Sequence, residues 1–284
     1  MTPTTIAFDL GGTKIDICRM TKFGEILWRQ SVATSDLEPG DPSFLDRAFA
    51  LFAEHVCEGD DKIGLSWNAP VHEGRLTQSS LLGGRINVDL AQRLKQAFSC
   101  DVQVESDVHA MVLGEYRFGI GAAAAPILLI NLGSGAGIGY HDGRLMRGNT
   151  GGAGLVCLEK RYIPEIGESL ILDQLLSGRG VARVHEKLTG ATLASAEVAS
   201  RASQGDDAAL ETFAIIARQF GAYLVTLSRL FNPRSIVLAG SVSRAAPLFL
   251  DAAKDILERE VEPACRPELV TVSALAAPAC VGLA

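Results

Sequence analysis

The 284-residue chain predicts an α/β fold on three observations. Short apolar runs alternate with longer segments whose apolar residues recur every three or four positions. Two of the apolar runs end in glycine-rich turns, FDLGGTK at residues 8–14 and LGSGAGIGY at 132–140. The chain is 48% hydrophobic but only 6% aromatic, so aliphatic packing builds the core. Strand–helix alternation of this kind produces mixed layers, and the length holds one large domain or two modest ones.

In chain order, residues 4–10 read as a buried strand, with 15–19 and 26–31 extended after it. Residues 42–57 have helical spacing, with Phe44, Leu45, Ala48, Leu51, Phe52 and His55 on one side. Asp41 is the expected N-cap there, and Pro42 suits the first helical position, where its missing N–H would be unpaired anyway. Residues 62–66 read as a strand, 88–98 as a helix, 102–105 as a buried strand and 108–118 as a helix. The run 127–132 is a nearly continuous apolar strand, and a hairpin follows through His141-Asp142-Gly143-Arg144. The second half reads as helices at 168–188, 194–203, 206–230 and 246–261, interrupted by one strand at 235–238 that leads into Ala239-Gly240-Ser241.

Composition removes several classes of function. The formal net charge of −7 lacks the basic face of a nucleic-acid binder. No apolar stretch approaches the roughly 18 residues of a membrane span. The opening MTPTTIAFDL has no basic segment ahead of an apolar one, so no signal peptide is expected. Six scattered cysteines, none in a C-x-x-C pair, are expected to be buried reduced thiols of a cytoplasmic protein. The histidines are equally scattered, and His109 and His185 read as helix residues.

Asp9 is out of place in an apolar strand. A buried charge without its partner costs roughly 3–5 kcal/mol, so the carboxylate calls for a metal ion or a positively charged ligand complex. Glycines after the strand let backbone amides approach a phosphate closely. Neither glycine turn is a Walker A loop or a dinucleotide fingerprint, because position 138 is Ile where the latter needs Gly. Between them, in VESDVHAMVLGEYRFG at 104–119, Asp107 falls at a strand-to-helix junction. A carboxylate there can cap the helix. It can also take a proton from an attacking hydroxyl if both turns lie on one sheet edge.

Asp9-Leu-Gly-Gly-Thr-Lys14, the Glu105-Ser-Asp107 block running into Gly114-Glu115, and Gly133-Ser-Gly-Ala-Gly137 together resemble the ROK family of sugar kinases. The order continues through Leu172-Asp173 with Ser177-Gly178, then Asn232-Pro233 and Ala239-Gly240, across essentially the whole chain. The resemblance implies a two-domain actin-like (ribonuclease-H-like) ATPase fold with a central interdomain cleft. Its expected domains are 1–118 and 119–284, with the last helix packing back on the first. It implies ATP and Mg²⁺, with Asp9 holding the metal through water. Gly11, Gly12, Thr13 and Lys14 would wrap the phosphates, Gly133, Ser134, Gly135 and Gly137 would form a second phosphate turn, and Gly240 and Ser241 would lie near the adenosine. Asp107 matches the general base. A homodimer is also implied.

The departures from the family pattern fall on the sugar side. Ser106 stands where Asn is usual. GNTGGAGLVCL places Leu155 and Leu158 where a sugar-binding Glu and a His should be, and the Cys-rich zinc motif is missing, so no zinc is expected. Ser106 and Asp173 are the remaining expected substrate contacts, the latter as a shortened Glu. Glu159, Glu165 and Glu168 either reach the pocket in compensation or are solvated surface carboxylates. One apolar wall suits a deoxy or amino sugar or a cyclitol better than glucose in the usual pose. The leading expectation is ATP-dependent phosphorylation of a sugar-like hydroxyl. The alternatives are a catalytically silent sugar or nucleotide sensor and a hydrolase of the same superfold. Family repressors carry an N-terminal helix-turn-helix, for which the span before the first strand leaves no room. Family members also usually continue in a helix beyond a segment like the final APACVGLA.

Overall fold

The computed structural model describes residues 3–284. Its strands are β1 (Thr4–Leu10), β2 (Lys14–Thr21), β3 (Ile26–Ala33), β4 (Asp60–Trp67), β5 (Val71–His72), β6 (Arg75–Ser79), β7 (Gly84–Asp89), β8 (Asp101–Ser106), β9 (Ile127–Leu132), β10 (Ala136–His141), β11 (Lys160–Ile163), β12 (Glu168–Ile171), β13 (Ser235–Ala239) and β14 (Leu269–Val272). Its helices are α1 (Phe44–His55), α2 (Leu90–Ala97), α3 (Asp107–Phe118), α4 (Leu172–Leu175), α5 (Gly178–Thr189), α6 (Ser195–Ser203), α7 (Asp207–Phe231), α8 (Leu250–Glu260) and α9 (Pro278–Val281). Contacts divide the chain into two compact units. The first comprises residues up to Ala123, Gly139–Gly154 and Ala274–Ala284; the second comprises Ala124–Ile138 and Leu155–Ser273. The division is thus made of exchanged segments and not of one cut between residues 118 and 119.

The first unit is built on a five-stranded sheet in the order β3-β2-β1-β4-β8. β1, β4 and β8 run parallel, and β2 and β3 form an antiparallel edge. Alternation gives this sheet two unlike faces. Ile6, Phe8, Leu10, Ile15, Ile17, Ile63, Leu65 and Trp67 point into a core closed by Phe44, Leu45, Ala48 and Phe52 of α1. The opposite face carries small residues, and the C-terminal segment lies directly on it. A Cβ added at Gly64 would stand 2.5 Å from Leu283 Cβ and 3.3 Å from Ala7 Cβ. α9 also meets α3 at glycines. A Cβ at Gly114 would lie 2.5 Å from Pro278 O, and one at Gly282 only 1.8 Å from Ala110 O. Gly282→Ala therefore forces a backbone contact apart, and we expect it to lower unfolding stability by about 2–3 kcal/mol in urea titration.

The second unit holds a four-stranded sheet, β10-β9-β13-β14, in which β13 is parallel to both β9 and β14. The long helix α7 buries Phe213, Phe220, Leu224 and Leu227. Among the described residues no helix is long and apolar enough to cross a membrane.

Local chemistry explains where the elements depart from the sequence reading. α1 starts at Phe44 with Ser43 as its N-cap, because Asp41 Oδ1 accepts from both Ser43 N (2.8 Å) and Ser43 Oγ (2.5 Å). Val88 belongs to a β5-β6-β7 meander, and α2 begins after Asp89, whose side chain accepts from Gln92 N at 2.8 Å. The region 168–188 is a strand, a single turn and a helix, restarted by Ser177 capping Gly180 N. α8 begins only at Leu250, after a 3₁₀ segment that contains Pro247. Of the cysteines, only Cys18 and Cys280 are buried; Cys57 is exposed and the other three are half-buried.

Candidate functional site

The carboxyl ends of parallel strands are where open α/β sheets bind ligands. In the first unit these ends bring Asp9, Ser66 and Ser106 to neighbouring positions, with Asp107 next in the chain. Asp9 is half-buried and accepts a hydrogen bond from Ser66 Oγ at 2.7 Å. Burial is the main cause that pushes its pKa up to about 6; the Ser66 bond opposes it, Asp16 adds to it, and Lys14 and Arg29 oppose it. Asp9 faces Asp16 across the β1–β2 pair. Burial raises the Asp16 pKa too, but hydrogen bonds from Lys14 and Ser31, with the charges of Lys14 and Arg29, outweigh it and hold the carboxyl below its ordinary range. The Lys14 Nζ to Asp16 Oδ2 distance is 2.5 Å and the Arg29 Nη2 distance 3.1 Å. Lys14, expected among the phosphate ligands, is thus held in an ion pair with Asp16.

The first glycine turn closes on itself. Gly11 N donates to Lys14 O at 3.0 Å, and Thr34 anchors the turn through Oγ1 to Gly11 O (2.8 Å) and N to Thr13 O (3.0 Å). The Gly11 amide is therefore engaged within the turn rather than bare. Asp107 is the first residue of α3, and Ser106 occupies the cap position without a side-chain cap bond. Val108 N donates to Asp107 Oδ1 at 2.9 Å, which orients the carboxylate at the helix start. Beside it, Arg147 grips the buried Glu105 with two nitrogens, Nε to Oε2 at 3.1 Å and Nη2 to Oε1. His109 is fully buried, with Nε2 3.1 Å from Ala153 O. Burial pushes its pKa down. Both contacts tie the 147–153 loop to the strand and helix that flank Asp107, and sequence reading found neither.

In the second unit Gly133 N donates to Gly135 O at 2.9 Å, so this turn too uses its first amide internally. Asp173 braces it: Ala136 N donates to Asp173 Oδ1 at 2.7 Å, and a Cβ at Gly135 would lie 2.7 Å from the same oxygen. Arg179 stands 3.7 Å from Asp173 and donates to Ser134 O at 3.0 Å. The Asp173 carboxylate, expected to meet substrate, also braces the turn through Oδ1, while Gly137 continues from it into β10. Gly240 lies on the same sheet edge, since Ala239 pairs with Asn131. Its φ of 90° and a Cβ position 2.5 Å from Leu132 O leave room only for glycine. Ser241 opens the 3₁₀ segment that follows.

Leu155 and Leu158 are exposed, at 51% and 70%. Glu159 pairs with Arg161, Glu165 with Arg218, and Glu168 with Arg183 and Lys187, so all three have surface ion-pair roles. Among the described residues no group of three His, Cys, Asp or Glu is placed to hold a metal ion. Mg²⁺ has a different requirement. It is commonly bound by one or two carboxylates plus substrate phosphates, and a half-buried Asp9 disfavoured in its charged form fits a cation.

The ROK family model matches residues 5–281. A glucokinase of Streptomyces coelicolor is 28% identical over 286 residues, covering 90% of this chain and 87% of its own. An N-acetyl-D-glucosamine kinase of Pectobacterium atrosepticum is 26% identical over 262 residues, covering 83% of each. The crystal structure of a ROK family glucokinase from Streptomyces griseus, in complex with glucose and AMPPNP, matches with a TM-score of 0.80 and 27% identity over 99% of this chain and 98% of that one. The fold class is the actin-like one that the motifs imply.

Proposed function

The chain belongs to the ROK family, and from that premise we propose that Asp107 takes the proton of a sugar-like hydroxyl as that oxygen attacks the γ-phosphorus of ATP. The protein is an ATP-dependent sugar kinase, a phosphotransferase to an alcohol group. The observation that carries the role of Asp107 is its place at the start of α3, oriented by Val108 N and flanked by Ser106 at a parallel-strand end. The new O–P bond forms on the sugar, the bond to the β-phosphate oxygen breaks, and the hydroxyl proton goes to Asp107. Phosphoryl transfer depends mainly on positioning and charge neutralisation.

Asp9 would hold Mg²⁺ through water; when bound, the ion neutralises charge on the phosphates. We assign Gly11, Gly12 and Thr13 to the phosphates from the first unit. Lys14 joins them once it leaves Asp16. Gly133, Ser134, Gly135 and Gly137 are assigned to the phosphates and Gly240 and Ser241 to the adenosine from the second unit. Ser106 and Asp173 are assigned to the sugar, Asp173 also bracing the turn. The acceptor class is a hexose, an amino or deoxy sugar, or a cyclitol, and zinc has no part in the reading. A homodimer belongs to it as well, and sedimentation velocity tests that part.

Leu155 and Leu158 favour one second reading, a sensor that binds sugar or nucleotide without turnover. ADP release with Mg-ATP against a panel of hexoses, amino sugars, deoxy sugars and cyclitols separates the two. The kinase turns over at least one compound and stops when EDTA removes the metal; the sensor binds and turns over none.

A further inference from the structure

Asn68 stands between the two carboxylates of the first unit, and none of the assignments above uses it. Its N–H donates to Leu10 O at 3.2 Å, which carries the β1–β4 pairing one residue beyond β4. The preceding Trp67 pairs with Ser106, the residue before Asp107. On the other side, a Cβ at Gly12 would lie 3.5 Å from Asn68 Nδ2, in ordinary contact. The side-chain amide is therefore seated beside the first glycine turn, just past the end of β4, the middle of the three parallel strands whose carboxyl ends carry Asp9, Asn68 and Asp107 at or just beyond them.

Asn68 Oδ1 is buried and has no hydrogen-bond partner in the protein. An unsatisfied buried acceptor costs about 1–3 kcal/mol, so fold stability gives no reason for this residue to be here. Two more orphaned atoms lie close in the chain and sheet register, Ser106 Oγ and His109 Nδ1. Ala153 O can only accept, so His109 Nε2 carries the hydrogen and Nδ1 is a bare acceptor. Trp67 differs: its indole N–H donates to Ser79 Oγ at 3.0 Å. An orphaned amide oxygen, with a hydroxyl at the neighbouring strand end that can also accept, calls for a ligand that brings donors.

We infer that Asn68 is a substrate-contacting residue whose amide oxygen accepts a hydrogen bond from a hydroxyl of the acceptor, next to the hydroxyl that Asp107 deprotonates. The inference rests on the kinase reading and deepens it.

The test combines steady-state kinetics on the panel compound turned over fastest with a fluorescence titration. Trp28→Phe leaves Trp67, beside Asn68, as the single tryptophan of a chain that has two. Asn68→Ala is expected to raise KM for the sugar about tenfold, the effect of one lost hydrogen bond. KM for ATP should stay within twofold and Tm should be unchanged or higher, because no protein hydrogen bond is lost. Asn68→Asp keeps an acceptor but sets a negative charge beside Gly12, so it should spare the sugar KM and raise that for ATP. An unchanged sugar KM in Asn68→Ala overturns the inference, as does a joint rise of both KM values with a lower Tm.

Failure of the kinase reading looks different. A panel sugar that shifts Trp67 emission in the Trp28→Phe protein, not when Asn68→Ala is added, and with no turnover, keeps this inference and overturns the kinase. Turnover with a wild-type sugar KM in Asn68→Ala does the reverse. A panel silent in both assays overturns both.

Discussion

Asp107→Asn lowers kcat by roughly 10²–10⁴ while both KM values stay within a few fold. The substitution is nearly isosteric, and an amide oxygen at the Oδ1 position still accepts from Val108 N, now 2.9 Å away. The start of α3 is thus preserved, and only the capacity to take a proton is lost. Since that capacity is needed as the hydroxyl attacks, kcat and kcat/KM fall together. Single-turnover measurement at saturating ATP and sugar isolates the chemical step. A loss below tenfold there removes Asp107 from the role of base.

Asp9→Asn is expected to abolish turnover and yet stabilise the ligand-free protein. Burial lifts the Asp9 pKa from 3.8 to about 6. A carboxyl raised on folding contributes stability that is fully present below its unfolded pKa and is lost as pH rises through the folded one. Between pH 4 and pH 6 the wild type therefore loses about 2 kcal/mol through this group, and about 3 kcal/mol over the whole transition, and the variant does not. Other carboxyls titrate in the same range, with Asp16 and Asp60 shifted downward. For that reason the quantity to read is the difference between wild type and variant in urea unfolding at pH 4.5 and 7.5. It should be about 1 kcal/mol in favour of Asn at the lower pH and about 3 kcal/mol at the higher. A variant less stable than wild type at pH 7.5 would mean that the Asp9 charge serves the fold and not a cation.

The carboxylates could be read from the sequence because their types clash with their surroundings. Asp9 closes an apolar strand, and Asp107 sits where a strand yields to a helix. The glycine turns were legible for a similar reason: glycine follows an apolar run where the backbone must approach something closely. Partnerships were not legible. Arg147 and Glu105 lie 42 positions apart, and nothing in either neighbourhood names the other. His109 sits on a helix buried from Val108 to Glu115, so no polar face separates a structural histidine from a recognising one. Asp173 hid a partnership of the same kind: motif position points to substrate, and only the fold shows that its carboxylate also accepts from the Ala136 amide. The hairpin β11–β12 was hidden because 168–188 carries apolar residues at helical spacing, and only the cap at Ser177 reveals where the helix starts.

The return of Ala274–Ala284 to the first unit governs the order in which the protein can be completed during synthesis. The sheet face around Ala7 and Gly64, and the glycine side of α3, are translated early but receive their cover from Pro278, Gly282 and Leu283. About 150 residues intervene, and at roughly 5–20 residues per second the nascent unit waits on the order of 8–30 seconds with that surface open. The second unit, translated in the interval, has all of its strands before the first has its lid. A released chain truncated before residue 274 should therefore display a protease-sensitive N-terminal unit beside a protected second one, and the strand bearing Asp9 gains its final packing only from residues 274–284.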